Sequence, residues 1–339
     1  MVLSSLEARH VAESVKTKLF RLLLENDDTH VSGAMLAKEL HVSRNAIWKT
    51  VESLRLEGYD ISAVPSKGYH LNKCGDALSE AGITGYLKTT GIFQVETRKS
   101  VTSTNTVLRE LAVKGAPEGF VLAADEQTAG RGRKERSFYS PAGSGAYFSV
   151  LLRPGSGVGD ATLITSAAAV AAAQAIEEVT GVHVGIKWVN DLFLKGKKVC
   201  GILTEAAIGM ESGSIDSIVL GIGMNVTRPE KGFPGTLKDV AGEITEIARE
   251  NEITRCRIIA STLDNIWKYY QNLNKREFLE EYRKRSIIIG RGIYVSSGNE
   301  TKPAYAIAID DECRLIVRYE NGETATLNSG EVSIIADNR

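Results

Sequence analysis

The sequence has few cysteines and histidines, and their spacing forms no framework. Its four cysteines, Cys74, Cys200, Cys256 and Cys313, lie far apart, with no CxxC or CxxH spacing. This pattern predicts neither a zinc site nor disulfides and is typical of reduced thiols in a cytoplasmic protein. None of the five histidines lies in a recognisable triad setting. Nucleophilic catalysis of the Ser/His/Asp or Cys/His kind is therefore not indicated.

The chain also lacks an apolar run suited to a membrane. Its most apolar stretch, residues 161–179, is dominated by alanine and contains Gln174 and Glu177. This composition favours a buried helix over a membrane span. Charged side chains occur at short intervals from Glu7 to Lys18, which is unlike a signal peptide. No association with a membrane is expected.

Bulk composition is that of an ordinary globular protein. Hydrophobic residues make up 43% and charged residues 24% of the 339 positions, and the formal net charge is -1. These values exclude extensive disorder but say nothing by themselves about nucleic acid. A chain of this length exceeds what one core usually supports, so two or three domains are expected.

The first 72 residues have the pattern of a winged helix-turn-helix. Apolar spacing predicts helices over residues 6–25, 33–40 and 44–57, and alternation over 59–71 predicts a two-stranded wing. The region has nine Lys and Arg and nine Asp and Glu, so a module that mediates only protein contacts stays an alternative. Donor side chains early in the third helix and in the wing favour DNA contacts. The candidate DNA-binding residues are Ser43, Arg44, Asn45, Lys49, Thr50 and Lys67.

A glycine-arginine loop dominates the centre of the chain. Gly130, Arg131, Gly132 and Arg133 follow one another, and more cations come directly after them. Apolar segments at 119–125 and 146–152 predict buried strands on both sides of this loop. Strands would hold the loop in place, so its arginines could bind a phosphate or carboxylate. A solvated basic turn is the alternative for such a run taken alone.

Three more segments of the central region contain candidate site residues. Ser103 begins a helix that ends at Gly115, and Lys187 lies in an apolar segment, 182–194, that predicts a strand. A hairpin turn is predicted at 195–198, followed by a glycine-containing strand at 217–226. Helical patterning over 253–285 then gives way to short strands with turn signals at 298–299, 310–311 and 321–322. These strands predict a small C-terminal β-module with no catalytic residue.

Two motifs carry a resemblance to a known family. The run AGRGRKERSFYSP, residues 129–141, and the run KWVNDLFLKGKKVCGILTE, residues 187–205, resemble the two signatures of biotin protein ligases. With the N-terminal module, the whole chain resembles the bifunctional ligases and biotin operon repressors of bacteria. The resemblance implies an α+β multidomain chain. Its expected domains are a winged helix-turn-helix over residues 1–72, a class II synthetase-like α/β ligase domain with a mixed sheet over 80–285, and an SH3-like β-barrel over 288–339.

The resemblance also implies the chemistry and the partners. Biotin and ATP, with Mg²⁺, would form biotinyl-5'-AMP, and biotin would pass to a lysine of the biotin carboxyl carrier protein of acetyl-CoA carboxylase. The adenylate would promote a homodimer that binds operator DNA of biotin genes. Arg131, Arg133 and Lys187 are the expected catalytic cations, because two anions must be brought together. The implied biotin-binding residues are Ser103, Thr104, Asn105, Gln127, Gly130, Arg131, Gly132, Arg133, Lys187 and Gly201, and the implied ATP-binding residues are Arg131, Arg133, Phe138, Asn190, Lys198, Gly221 and Asn225.

The chain departs from the family pattern at two positions. Phe138 stands where these ligases commonly have tryptophan, and Val189 stands where they commonly have proline.

Two rival functions stay open. A lipoate or octanoate ligase would need a longer, purely apolar pocket, which Gln127 argues against. A sensor-type transcription factor with a decayed catalytic domain is the second rival, and the retained arginines and Lys187 count against it.

Overall fold

The N-terminal module is a winged helix-turn-helix in this computed structural model, which describes residues 13–26, 29–73, 77–154, 161–208, 215–245, 254–297 and 300–335. The beginning of the first predicted helix, at residues 6–12, lies outside the described residues. The expected helices and wing are otherwise confirmed. The elements are α1 Val15–Glu25, α2 Gly33–Glu39, α3 Arg44–Leu56, β1 Asp60–Val64 and β2 Gly68–Lys73.

A serine begins each helix of this module. The hydroxyls of Ser14, Ser32 and Ser43 accept a hydrogen bond from the backbone N–H three residues further on, which satisfies donors that a helix leaves free at its N-terminus. The apolar faces of the three helices then meet in one small core. The local sequence therefore determines where each helix starts, and the apolar spacing determines which face is buried.

The central region is a seven-stranded mixed sheet with helices packed on it. The strand order is β3-β4-β5-β9-β8-β7-β6, with β3 and β4 parallel and every other neighbouring pair antiparallel. The elements are α4 Glu80–Tyr86, β3 Gln94–Val101, α5 Thr104–Val113, β4 Phe120–Gln127, β5 Gly145–Leu152, α6 Ala161–Thr180, β6 Gly185–Lys187, β7 Asp191–Leu194, β8 Lys197–Ile208, β9 Ile215–Asn225, α7 Leu237–Val240, α8 Arg255–Gln271 and α9 Leu279–Lys284.

Helix α6 lies in the middle of the main core, as its alanine-rich composition predicted. Its residues from Leu163 to Ala173 are all buried, and small side chains allow α8 to pack closely against it. No helix of the described ranges is both long and apolar enough to cross a membrane.

Two predicted elements of the central region are wrong in their extent. The single strand expected over 182–194 is two strands, β6 and β7, joined by a tight turn that contains a cis peptide bond between Trp188 and Val189. The continuous helical pattern over 253–285 is divided into α8 and α9, with a short 3-10 turn, Leu273–Lys275, between them. Tertiary packing explains the turn at 188–189, because the indole of Trp188 donates to the carbonyl oxygen of Cys313 at 2.9 Å.

The C-terminal region is an antiparallel five-stranded sheet, in agreement with its turn signals at 310–311 and 321–322. The strand order is β13-β12-β11-β10-β14, and the edge strands β13 and β14 do not pair with each other in the part that the structure describes. The predicted turn at 298–299 lies outside the described residues. The elements are β10 Gly292–Ser297, β11 Glu300–Ile309, β12 Leu315–Tyr319, β13 Thr324–Leu327 and β14 Glu331–Ile334.

Candidate active site and nucleic-acid interface

The glycine-arginine loop joins β4 to β5 and has internal backbone hydrogen bonds. The N–H of Phe138 donates to the carbonyl oxygen of Gly130 at 2.8 Å, and the N–H of Gly132 donates to that of Arg136 at 2.7 Å. A Cβ atom at Gly130 would lie 2.3 Å from the Phe138 oxygen, so only glycine allows this close approach. The loop is therefore a folded arch rather than a loose basic turn.

A cavity of about 490 Å³ lies under this arch, between the central sheet and the C-terminal sheet. All of the residues predicted to bind biotin and ATP line this cavity except Gly130. Gly130 is instead buried within the arch. The chain thus brings together segments that lie far apart in sequence. The predicted residues that line the cavity are Ser103, Thr104, Asn105, Gln127, Arg131, Gly132, Arg133, Phe138, Lys187, Asn190, Lys198, Gly201, Gly221 and Asn225.

Gln127 connects the start of α5 to the arch at one end of the cavity. Its Oε1 accepts hydrogen bonds from the backbone N–H of Thr104 at 2.9 Å and from the Thr104 hydroxyl at 3.2 Å. Its Nε2 donates to the Ser140 hydroxyl at 2.9 Å. Ser103 occupies the N-cap position of α5 but its side chain makes no capping bond. This end of the cavity therefore has fixed donors and acceptors suited to a polar ligand ring.

Asn105 is buried at the same end and is held on both sides of its amide. Its Nδ2 donates to Glu205 Oε2 at 2.9 Å, while its Oδ1 lies 2.6 Å from the Ser149 hydroxyl. A Cβ at Gly221 would lie 2.0 Å from the same Oδ1. The glycine in β9 thus leaves room for the Asn105 side chain.

The arginines of the arch have partners from other elements. Arg131 Nη1 lies 2.9 Å from Glu205 Oε1, which Arg109 also approaches at 3.1 Å. Arg133 Nη1 donates to the Asn190 amide oxygen at 3.0 Å. No role was predicted for Glu205, although it closes the second sequence motif.

Lys187 faces the cavity from the end of β6. Its ammonium lies 5.4 Å from the centre of the Phe193 ring, and most of the side chain is screened from water. Burial lowers the pKa of the Lys187 ammonium below its ordinary value, against the opposing charge of Asp191 and with a smaller contribution from Lys198. Lys198 itself pairs with Asp191 at 2.7 Å. Two cations therefore lie beside one carboxylate on this wall.

Phe138 packs against the floor of the cavity. Its ring lies over β8 and β9, where Cβ atoms at Gly201 and Gly223 would be 3.4 and 2.6 Å from it. The ring also contacts Tyr147 edge to face, with 6.4 Å between the ring centres. Two glycines thus make room for the Phe138 ring at the cavity, and its predicted contact with ATP stays a prediction.

Asn225 lines the cavity at the end of β9, but its amide is already engaged. Its side-chain Nδ2 donates to the carbonyl oxygen of Gly242 at 3.0 Å. The backbone carbonyl oxygen of Asn225 accepts from the N–H of Ile244 at 3.0 Å. These bonds hold the segment that follows α7 against the sheet. The predicted contact of Asn225 with a nucleotide stays a prediction.

Glu331, in the C-terminal sheet, is a cavity residue that the sequence reasoning missed. Its carboxylate accepts from Arg136 Nη2 at 2.8 Å and lies 3.8 Å from Lys134 Nζ. Burial raises the pKa of Glu331, but the bond from Arg136 and the charges of both cations outweigh it and hold that pKa below its ordinary value. The prediction had no signal for this residue, because Arg136 is 195 positions away.

The candidate DNA-binding residues lie on α3 and in the wing. Ser43 serves as the N-cap of α3, and the Thr50 hydroxyl donates to the Ala46 carbonyl oxygen at 2.8 Å within the same helix. Both hydroxyls therefore already have intramolecular partners. Five of the predicted residues are exposed: Ser43, Arg44, Asn45, Lys49 and Lys67.

Sequence comparisons match all three modules to known families. Residues 15–70 match a helix-turn-helix domain, residues 97–225 match the biotin/lipoate A/B protein ligase family, and residues 288–334 match the biotin protein ligase C-terminal domain. The bifunctional ligase/repressor BirA of Bacillus subtilis is 36% identical over 91% of this chain and 95% of that protein. The Escherichia coli protein of the same name is 33% identical over 60% of this chain and 61% of its own length.

A solved structure of similar fold agrees with these family matches. The biotin protein ligase of Aquifex aeolicus, solved with biotin and ATP, is 27% identical with a TM-score of 0.61, over 71% of this chain and 98% of that one. The fold and the cavity thus define a ligase joined to a DNA-binding module. The chain belongs to the biotin protein ligase family and, within it, to the bifunctional ligase/repressors. The resemblance inferred from the two sequence motifs is confirmed.

Proposed function

We propose that the chain is an ATP-dependent biotin protein ligase and a biotinyl-AMP-dependent repressor of biotin genes. The observation that carries the ligase proposal is the cavity itself. Polar groups of Thr104 and Gln127 and the cations Arg131, Arg133 and Lys187 line one cavity. A ligand that has both a polar ring and phosphates fits this set of side chains.

The reaction joins two anions, and the cations of the cavity support it. A carboxylate oxygen of biotin attacks the α-phosphorus of ATP, and the bond between the α- and β-phosphates breaks to release pyrophosphate. Arg131, Arg133 and Lys187 neutralise both reactants and stabilise the charge that develops at phosphorus. In the second step, the amine of an acceptor lysine attacks the acyl carbon and AMP leaves, with a proton passing to solvent.

Mg²⁺ is proposed as a partner of ATP rather than of the protein alone. The described residues contain no group of three metal-ligating side chains. Mg²⁺ commonly binds phosphates with one or two carboxylates and keeps several waters, so the residues present fit such a site. Among the cavity carboxylates, Asp191 and Glu331 already pair with cations, so Asp239 is the group proposed to hold the metal, which would offset the charge of the phosphates.

Biotinylation of a carrier domain tests the ligase proposal. The purified chain, incubated with biotin, MgATP and the biotin carboxyl carrier protein of acetyl-CoA carboxylase, should release pyrophosphate and label one carrier lysine. Arg133→Ala should lower both signals about 100-fold or more, because it removes a charge from the transition state. Arg291→Ala, an exposed arginine outside the cavity, is the matched control. Absence of pyrophosphate release and of labelled carrier would leave only the sensor function.

Replacing biotin by lipoate or octanoate tests the rival ligase activity. The hydrogen bonds of Gln127 to Thr104 and Ser140 favour a ligand ring that both donates and accepts. A polar ring can exchange hydrogen bonds with these groups, whereas an acyl chain can form none with them and gains less affinity. Biotin should therefore be preferred, and equal turnover of octanoate would contradict this choice.

The repressor proposal depends on the exposed cations of α3 and on the arch. Bound biotinyl-AMP would stabilise residues 129–141 in the folded arch and strengthen a homodimer, which would bind two half-sites of operator DNA. Footprinting with and without biotinyl-AMP tests the coupling. Equal operator affinity in the two conditions would contradict it.

We further propose an SH3-like barrel for the C-terminal module and a class II synthetase-like arrangement for the central one. The five antiparallel strands and the mixed sheet support these assignments. The proposed domains are residues 1–72, 80–285 and 288–339. A cytoplasmic location is proposed from the acceptor protein and the absence of disulfides among Cys200, Cys256 and Cys313.

A further inference from the structure

Trp48 is an exposed aromatic residue on α3 that the candidate DNA contacts do not include. Its side chain is 51% exposed, whereas Ile47, Val51 and Leu54 on the same helix are completely buried. The opposite face of α3 therefore forms the core of the module, and Trp48 contributes to the outer face. Single exposed apolar side chains are common on protein surfaces, so the significance of Trp48 depends on its surroundings.

The other two tryptophans have partners within the chain. Trp188 is 4% exposed and donates to Cys313, and Trp267 contacts the rings of Phe93 and Tyr270. No hydrogen bond or ring contact of Trp48 occurs with the residues that the structure describes. About half of the Trp48 surface is thus open to a partner.

The surroundings of Trp48 are cationic and polar. Helical spacing places Arg44 and Asn45 one turn before it, and Lys49 is the next residue of α3; all three are exposed. Glu52, one turn further on, is paired with Arg55 at 2.7 Å, so its charge is already compensated. The first two turns of α3 thus present one apolar ring among donors, on a surface of net positive charge.

We propose that Trp48 contacts thymine methyl groups in the major groove of duplex DNA. Arginine and asparagine recognise base-edge acceptors and donors, and the C5-methyl of thymine is the apolar group of that groove. The N-terminal turns of a recognition helix are those that reach base edges, and Trp48 lies within them. This inference rests on the proposed DNA-binding function and adds a specificity-determining residue to it.

The first experiment measures the DNA affinity of Trp48→Ala. The probe is the duplex that the wild-type chain, saturated with biotin and MgATP, selects from a randomised library. Trp48→Ala should bind this duplex about tenfold more weakly, within the usual loss for one base contact. Leu56→Ala is the matched control, because Leu56 lies on the same helix and is 90% exposed but follows the base-reading turns. It should bind as the wild type does.

Replacing single thymines by uracil tests the methyl contact directly. At the contacted position, uracil should weaken binding of the wild-type chain severalfold and should not weaken binding of Trp48→Ala any further. The slope of affinity against salt should stay that of the wild type in Trp48→Ala, whereas Lys49→Ala should lower it by about one.

Three outcomes would overturn the inference, and they are distinguishable. If the wild-type chain selects no duplex, the proposed DNA-binding function fails and the inference with it. If the wild type binds and Trp48→Ala binds equally well, only the inference fails. If Trp48→Ala abolishes dimerisation in sedimentation and binds each half-site normally, the partner of Trp48 is a second copy of the chain and not DNA.

Discussion

Lys187 illustrates how burial adjusts a single group that we propose to be catalytic. In the proposed mechanism the Lys187 ammonium must be positive to stabilise charge at phosphorus, but burial in the cavity wall lowers its pKa. A lowered pKa means that the protonated fraction falls at a lower pH than the value of about 10.4 for a free lysine. The rate of adenylation thus becomes sensitive to alkaline pH through this residue.

We therefore expect the alkaline limb of the adenylation rate to shift in Lys187→Arg. Arginine stays charged far above the pKa of lysine, so the decline of pyrophosphate release should move to higher pH. Lys187→Met should lower the rate about 100-fold or more at every pH. Identical alkaline limbs in wild type and Lys187→Arg would show that another group titrates there.

Gly221 provides space for a neighbouring side chain, whereas Lys187 provides charge. Gly221→Ala would place a methyl group 2.0 Å from the Asn105 oxygen, so Asn105 or β9 must shift. We expect a loss of about 1–3 kcal/mol in the free energy of unfolding and weaker biotin binding in calorimetry. Gly292→Ala, whose nearest atom would be 3.4 Å away, should change neither value, and unaltered biotin affinity in Gly221→Ala would contradict the packing argument.

At the scale of elements, the arch is closed by a strand of another module. Glu331, at the first position of β14, accepts from Arg136 and lies near Lys134. Lys134 and Glu135 have positive φ angles of 52° and 60°, which are unfavourable for residues with a side chain. Contacts with β14 therefore help to hold the arch in a conformation that its own sequence does not favour.

Glu331→Gln should loosen the arch in the ligand-free chain. The pair is partly exposed, so its loss should increase opening only about two- to fivefold. Limited trypsin digestion should then cut between residues 131 and 136 faster, and biotin with MgATP should suppress the difference. Glu300→Gln, which removes an exposed pair with Lys302 in the same sheet, should digest like the wild type. An unchanged cleavage rate in Glu331→Gln would exclude a closing role.

For the whole molecule, α4 connects the DNA-binding module to the ligase core. Phe20 packs on Gly85 so closely that a Cβ there would lie 2.4 Å from its ring, and Arg21 donates to the Thr84 carbonyl oxygen at 3.0 Å. Tyr59 and Ser79 join their hydroxyls at 2.7 Å. The two modules thus share a packed surface and are not independent units on a linker.

Deleting residues 1–76 should therefore destabilise the ligase part. Losing the burial of an aromatic side chain lowers the free energy of unfolding by about 2 kcal/mol. The thermal midpoint of the ligase part should therefore fall by roughly 5 °C or more. The measurement is the temperature at which biotin labelling of the carrier domain is lost, which reports on the ligase part alone. An unchanged midpoint would mean that α4 is stable without its N-terminal neighbours.

Much of this architecture could be predicted because its signals are local. Serine caps and apolar spacing determined the helices of the winged module, and turn residues at 310–311 and 321–322 indicated where C-terminal strands end. The glycine-arginine loop was predicted to bind an anion because apolar segments flank it. The two sequence motifs, residues 129–141 and 187–205, were sufficient to indicate the family that the comparisons show.

The sequence by itself determined most of the elements, the cations and the family; the tertiary structure alone decided which residues meet. Glu205 joins Arg109 and Arg131, and Glu331 reaches the arch from another module. The turn at Trp188, which divides a predicted strand, is held by Cys313. Such contacts join residues tens to hundreds of positions apart, so no local periodicity encodes them. They depend on the packing of complete modules against one another.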